Sequence, residues 1–369
     1  MKEWFEIKNI ELVDSPALII YKERVEQNIQ VLLSMVDDVK RLRPHVKTHK
    51  TMEVSLMLIE AGINKFKCAT IAEGEMLAMV GAADVMLAYQ PLVPKLQRFI
   101  SLIKKYPQTS FSCLTDNEAS AKCIANAAVS NGIAIDVFID INVGMNRTGI
   151  APNDGAVALY EMCYQLKGLR PLGLHVYDGQ FRNPDIAQRT KDSDEAFVHV
   201  ESLKASLIKK GFTAPTIIAG GSPTFPIHAK RKEVECSPGT FIFWDKGYQS
   251  CCREQPFVTA ALVVSRIISL PGENKICLDL GHKSIASENE LSKRVHFLNA
   301  PGLQFTGHSE EHLVADVSKG HNYQPGDVLY GLPYHICPTC ALYERALVVQ
   351  NNEVMTEWKI IARDRKITV

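Results

Sequence analysis

The chain contains no apolar run approaching the roughly 20 residues that a membrane-spanning helix requires. Its opening residues, Met1-Lys2-Glu3-Trp4, alternate in charge where a secretory leader would carry a positive stretch and then a long apolar core. A soluble, cytoplasmic protein with no membrane partner is the expectation. Neither sign of charge is in excess, with 41 Lys plus Arg against 41 Asp plus Glu. Without a global field there is nothing to draw nucleic acid, and small molecules become the expected partners. No glycine-rich dinucleotide turn follows an early strand, which counts against an open doubly wound sheet. No repeat, low-complexity tract or long linker interrupts the 369 residues. The ten cysteines are dispersed, and adjacent Cys251 and Cys252 are too close for an unstrained bridge, so reduced thiols are expected.

What is present is a long alternation. Apolar extended runs occur at Ala17–Ile20, Arg41–Lys47, Lys65–Ile71, Asp84–Tyr89, Ser110–Leu114, Ile133–Ile141, Leu172–Tyr177 and Thr216–Ala219, with helical periodicity between them. Eight apolar strands covered by helices predict a (β/α)8 TIM-like barrel over residues 17–238. Near Pro238 the pattern changes. Phe241–Trp244, Val258–Ile268, Lys275–Leu280, His312–Val317, Asp327–Leu332 and Ala346–Val349 are β-rich runs with Pro-Gly turns among them. Residues 1–16 and 239–369 are therefore expected to form a mostly antiparallel β domain.

Barrel active sites lie at the C-terminal ends of the strands. In Arg43–Lys50 the alternation places Arg43, His45, Lys47 and His49 on one face. A desolvated lysine among other cations favours its neutral, nucleophilic amine, so Lys47 is a candidate Schiff-base lysine and His45 a candidate catalytic neighbour; a basic surface turn fits the same residues. Gly144–Gly149 carries Arg147 to the barrel mouth, where a surface ion pair is the plain alternative. His175 and Tyr177 share one strand face, as core residues also would. Gly220, Gly221 and Ser222 offer backbone amides and a hydroxyl after a late strand, the usual seat of a phosphate group. In the β domain, His335 and Cys337 would project together from an extended segment as ligands for a cation such as zinc. Ser309–His312 offers a further ligand, base or supporting carboxylate. The Cys337 and Cys340 spacing also allows a redox pair, and a surface loop with an inert thiol remains open.

In order, His45–Lys50, Gly144–Gly149, Gly220–Thr224, Pro238–Phe241, Ser309–His312 and His335–Thr339 resemble the motifs of the D-threonine aldolase and D-serine dehydratase family. These are fold-type III pyridoxal-phosphate enzymes related to alanine racemase. The resemblance runs from about Ala17 to the C-terminus. It implies an alanine racemase N-terminal type of barrel, a β domain and a homodimer. It also implies that Lys47 carries pyridoxal 5'-phosphate, with Arg147 near it, Tyr177 against the pyridine ring, and Gly220, Gly221 and Ser222 at the phosphate. His335 and Cys337 would bind a divalent metal: zinc, manganese or magnesium.

The implied reaction is cleavage of a D-3-hydroxy amino acid to glycine and an aldehyde, or elimination to a 2-oxo acid and ammonia from D-serine or D-3-hydroxyaspartate. Both need a metal at the substrate's β-hydroxyl. The stretch Val176–Gln180 matches neither branch and leaves substrate choice open. A racemase needs a second acid/base and no metal. A non-catalytic cofactor-binding protein ends where its barrel ends, and this chain continues through residues 239–369.

Overall fold

The computed structural model describes residues 3–369; Met1 and Lys2, expected within the β domain, lie outside the described residues. The chain forms two compact units. One takes residues up to Val31, Thr48–Glu53 and Thr240–Arg363, and the other takes Leu32–Lys47, Val54–Gly239 and Asp364–Val369. Among the described residues no helix is long and apolar enough to cross a membrane.

The chain begins its regular structure with β1 (Ala17–Tyr21), α1 (Lys22–Ser34) and α2 (Met52–Glu60). Among the described residues of the second unit, seven parallel strands follow: β2 (Lys65–Cys68), β3 (Asp84–Leu87), β4 (Ser110–Thr115), β5 (Ile135–Ile141), β6 (Leu169–Val176), β7 (Thr216–Ala219) and β8 (Val234–Cys236). They lie side by side in sequence order. The connections carry α3 (Ile71–Met79), α4 (Lys95–Lys105), α5 (Glu118–Ser130), α6 (Asp154–Gln165), α7 (Ile186–Lys209) and the short α8 (Phe225–His228). Parallel strands need such crossovers, and strands covered on both faces read as apolar runs. Val85, Met86 and Leu87 of β3 are accordingly all buried.

The two edge strands of this sheet both bond to residues 42–46. The Arg43 amide donates to the Cys236 carbonyl at 2.8 Å, and the Val46 amide to the Lys67 carbonyl at 3.0 Å. The eighth place is thus filled, but by isolated bridges at Leu42 and His45 rather than by the strand expected over Arg41–Lys47. Pro44 has no amide to donate, and a turn starts at Val46, so no regular ladder forms. Two other expectations are corrected. Ala17–Ile20 belongs to the other unit, where β1 pairs with strands far along the chain; β8, only three residues long and carrying Glu235, takes the last place in the parallel sheet. A fully apolar run reveals burial but not which sheet buries it.

The first unit continues with α9 (Lys246–Cys251), β9 (Ala261–Gly272), β10 (Lys275–Leu278), β11 (Val295–Phe297), β12 (Gln304–His308), β13 (Leu313–Asp316), β14 (Val328–Pro333), α10 (Ile336–Leu342), β15 (Arg345–Gln350) and β16 (Glu353–Lys359). Its sheet runs β12-β13-β10-β9-β1-β15-β16, with β14 beside β9 and β11 beside β14. Only β1 with β15 is parallel among the described pairs of this sheet. Phe5, Ile7, Ile19, Tyr21, Leu262, Val264 and Tyr330 build its core. Phe241–Trp244, expected as a strand, is instead a buried 3-10 turn over Thr240–Ile242 followed by Trp244 at φ +47°.

Candidate active site

Three cationic side chains of the barrel unit converge on one aromatic ring. Tyr177, just past β6, has the Arg147 guanidinium 4.8 Å from its ring centroid, the Lys67 amine at 5.7 Å and the Lys47 amine at 6.0 Å. Such placements gain from the negative face of the ring. Lys47 is half-buried in the turn that ends residues 42–46. The Nδ1 of buried His45 accepts its backbone amide at 3.3 Å, so His45 shapes that turn.

Arg147 rides on a loop built around Asn142. The Asn142 side-chain oxygen accepts the amides of Gly144 at 3.0 Å and Asn146 at 3.1 Å. Gly149, at φ +98°, packs so closely that a Cβ would lie 2.7 Å from the Asn142 nitrogen. Only glycine fits there without strain.

After β7, Gly220 stands at φ +81° with its amide bonded to the Val176 carbonyl at 2.9 Å. That amide was expected to face a ligand, and the sheet uses it instead. A Cβ on Gly221 would come within 3.1 Å of the Tyr177 ring, and one on Gly179 would overlap its hydroxyl. The buried Ser222 hydroxyl accepts the Gly239 amide at 3.3 Å. Beneath the turn, Asp178 accepts from Thr224 Oγ1 at 2.6 Å and from His228 Nε2 at 2.8 Å, while Arg231 donates to His228 Nδ1 at 2.6 Å. Burial would raise the Asp178 carboxyl, but His228 and Thr224 hold it below its ordinary value.

A buried chain runs under the ring. Lys67 donates to His175 Nε2 at 3.5 Å, and His175 Nδ1 donates to Asp140 at 2.7 Å. Burial, then neighbouring Lys47, brings the Lys67 amine down to about 7. Burial keeps His175 below its ordinary value against the pull of Asp140. Burial would raise Asp140, yet the His175 hydrogen bond outweighs it and leaves the carboxyl low. Lys67 and Asp140 were not among the expected site residues. A charged residue near the C-terminal end of a barrel strand was the available signal.

In the β unit, His335 and Cys337 do meet, though not on an extended segment. His335 stands at the N-cap of α10 and Cys337 lies in that helix's first turn. Glu288 Oε1 accepts from His335 Nδ1 at 2.5 Å. Thr48 Oγ1 and Thr240 Oγ1 lie 3.1 and 3.5 Å from Cys337 Sγ. Burial would lower His335, but Cys337, Glu288 and Asp245 raise it to about 9. The carboxylate beside His335 is thus Glu288, while Glu310 and Glu311, from the stretch expected to offer a further ligand, base or supporting carboxylate, pair with Lys283.

A primary amine, an aromatic face and a turn that tolerates no larger side chain fit pyridoxal phosphate. An imidazole oriented by a carboxylate, with a thiol beside it, has zinc-type donor chemistry. The described residues contain no group of three or more His, Cys, Asp and Glu able to hold a metal ion.

Residues 20–246 match the alanine racemase N-terminal domain, and residues 260–349 match a putative serine dehydratase domain. The chain belongs to the alanine racemase N-terminal domain family. Within this family of fold-type III pyridoxal-phosphate enzymes, the D-threonine aldolase of Arthrobacter sp. is 26% identical over 95% of this chain and 93% of its own. The D-threo-3-hydroxyaspartate dehydratase of Delftia sp. (strain HT23) is 23% identical over 90% and 93%. The crystal structure of D-threonine aldolase from Filomicrobium marinum superposes with a TM-score of 0.87 over 98% of this chain and 99% of the other, at 24% identity. Structures of D-threo-3-hydroxyaspartate dehydratase include variants replacing a histidine and, two positions on, a cysteine, the latter in a metal-free form.

Proposed function

We propose that the protein cleaves D-3-hydroxy amino acids of the D-threonine kind to glycine and an aldehyde. Its family and its aldolase and dehydratase relatives make it a pyridoxal-phosphate-dependent lyase. The observation that carries the finer reading is the convergence of Lys47, Lys67 and Arg147 on Tyr177 beside the Gly220-Gly221 turn.

Pyridoxal phosphate, when bound, supplies an aldehyde and a ring that withdraws electrons from the substrate's Cα. Lys47 would provide the amine that holds it; cleavage takes its proton from the β-hydroxyl, and Lys47 would be the base for a proton at Cα in the elimination reading. Tyr177 presents a face to the pyridine ring, and Gly220, Gly221 and Ser222 leave room for the phosphate. Arg147 orients the anionic groups, and His45 fixes the turn that aims Lys47. His335 and Cys337 would hold a divalent ion supplying a Lewis acid for a hydroxyl oxygen. The His-x-Cys spacing is shared with the positions replaced in two separate dehydratase variants, of which the cysteine variant is in a metal-free form, and this supports the reading.

The dehydratase reading has its own support in the serine dehydratase match over residues 260–349. Offering D-threonine and D-serine side by side separates the two. Aldol cleavage yields glycine and acetaldehyde, whereas elimination yields pyruvate and ammonia from D-serine. Chelation, or His335→Ala, is expected to abolish product while leaving the cofactor absorbance unchanged, with recovery of the chelated enzyme on adding Zn2+ or Mn2+. Interconversion of alanine enantiomers without either product, or full activity in a metal-free preparation, overturns this reading.

A further inference from the structure

We propose that Lys67 is the counter-cation of this site, pairing its amine with an anionic oxygen of the cofactor or of the substrate. The inference deepens the function proposed above and rests on it.

The strongest ground is what surrounds the amine. Lys67 is 2% exposed, and its hydrogen bond goes to a neutral acceptor, His175 Nε2. Asp140 is committed to His175, and Asp178 to Thr224 and His228. Arg43, the other buried cation acting on Lys67, is held by Asp84 and Glu235. Among the described residues no carboxylate lies within ion-pair reach of Lys67. A buried ammonium without a partner is unfavourable, so a fold that places an amine here spends stability on it. The remaining neighbours are Lys47 and Arg147, both cationic, around the Tyr177 ring.

Three basic side chains facing one ring with no carboxylate among them make a receptor for negative charge. Once Lys47 is taken up in holding the cofactor, Lys67 and Arg147 remain. Without such an anion, burial and Lys47 keep the Lys67 amine near 7. An anionic oxygen beside it reverses that balance, and the amine takes one proton from solvent to become ammonium. No bond to carbon changes, and the proton is the only species exchanged.

The test counts that proton by calorimetry near pH 8 in buffers of different ionisation enthalpy. In one arm pyridoxal phosphate is added to cofactor-free enzyme. In the other, D-alanine, which has no β-hydroxyl to cleave, is added to the loaded enzyme. The parent is expected to take up close to one proton more than Lys67→Met and Lys67→Gln in one arm, and that arm identifies the oxygen as the cofactor's or the substrate's. No uptake by the parent in either arm, or equal uptake by the variants, overturns the proposal. If neither variant folds by circular dichroism, the parent's own count and the tenfold loss of affinity per pH unit expected above about 8 still decide it. A parent that never develops Schiff-base absorbance would sink the cofactor reading instead, and the two failures are thereby distinguished.

Discussion

Lys47 and Lys67 face the same tyrosine, yet their surroundings differ. Lys47 is half-buried on a turn and Lys67 is enclosed. Borohydride reduction of the loaded enzyme followed by peptide mapping should therefore place the pyridoxyl group on Lys47; finding it on Lys67 or Lys50 would refute the assignment. Lys67 also predicts a pH dependence. In the unfolded chain its amine holds a proton up to about 10.5, and in the fold only to about 7. The unfolded state binds more protons between these values, so stability rises with pH across that window and the penalty of burial is fully present below it. Lys67→Met should raise the Tm of the cofactor-free protein more near pH 6 than near pH 10, read by calorimetry. Lys47 was a candidate from the sequence because several cationic residues crowd its motif. Lys67 was not, because alternation in Lys65-Phe66-Lys67-Cys68 names two faces without saying which one the barrel encloses.

At the scale of elements, one carboxylate joins two helices of the β unit. Asp245 Oδ1 caps α9 by accepting the Tyr248 amide at 3.0 Å, and Oδ2 accepts the first amide of α10 from Ile336 at 3.0 Å. Its side chain is buried, so both bonds are shielded from water. Asp245→Ala should cost roughly 1–3 kcal/mol in urea unfolding, from the lost cap and the amides left unpaired. Asp245→Asn, which keeps one acceptor, should cost less. The segment expected to be extended around His335 and Cys337 is the start of the α10 helix, and Pro338 does not prevent it. Proline is tolerated in a first helical turn, where its missing N–H would have had no partner, and Pro338 is the third residue of this helix. The long, strongly periodic helices of the barrel were readable, whereas β8 was too short to show any period.

Across the whole molecule, the chain passes between its two units several times, and its last residues return to the barrel unit. There the enclosed Glu75 carboxylate receives the Thr368 amide at 3.0 Å, the Val369 amide at 3.2 Å and the Thr368 hydroxyl. Lys105 and Tyr106 also reach it, each at 3.3 Å. Removing Thr368 and Val369 should destabilise the protein by roughly 1–3 kcal/mol, measured by denaturant unfolding, because a buried acceptor loses most of its donors. Full stability after truncation would show the tail to be idle. The shift from helix-strand repeats to β-rich runs near Pro238 is visible in residue order. The return of six terminal residues is not, since so short a piece carries no periodicity. The same interleaving governs how the protein is made. β1 is buried along its whole length, and its partners are Val264 in β9 and Leu347 in β15, both hundreds of residues later. At ribosomal speeds of about 5–20 residues per second, Ala-Leu-Ile-Ile-Tyr waits on the order of ten to fifty seconds outside the exit tunnel before its nearest partner strand exists. During that interval it is a five-residue adhesive segment with a free edge, which makes the nascent chain, rather than the finished enzyme, the form most dependent on chaperones.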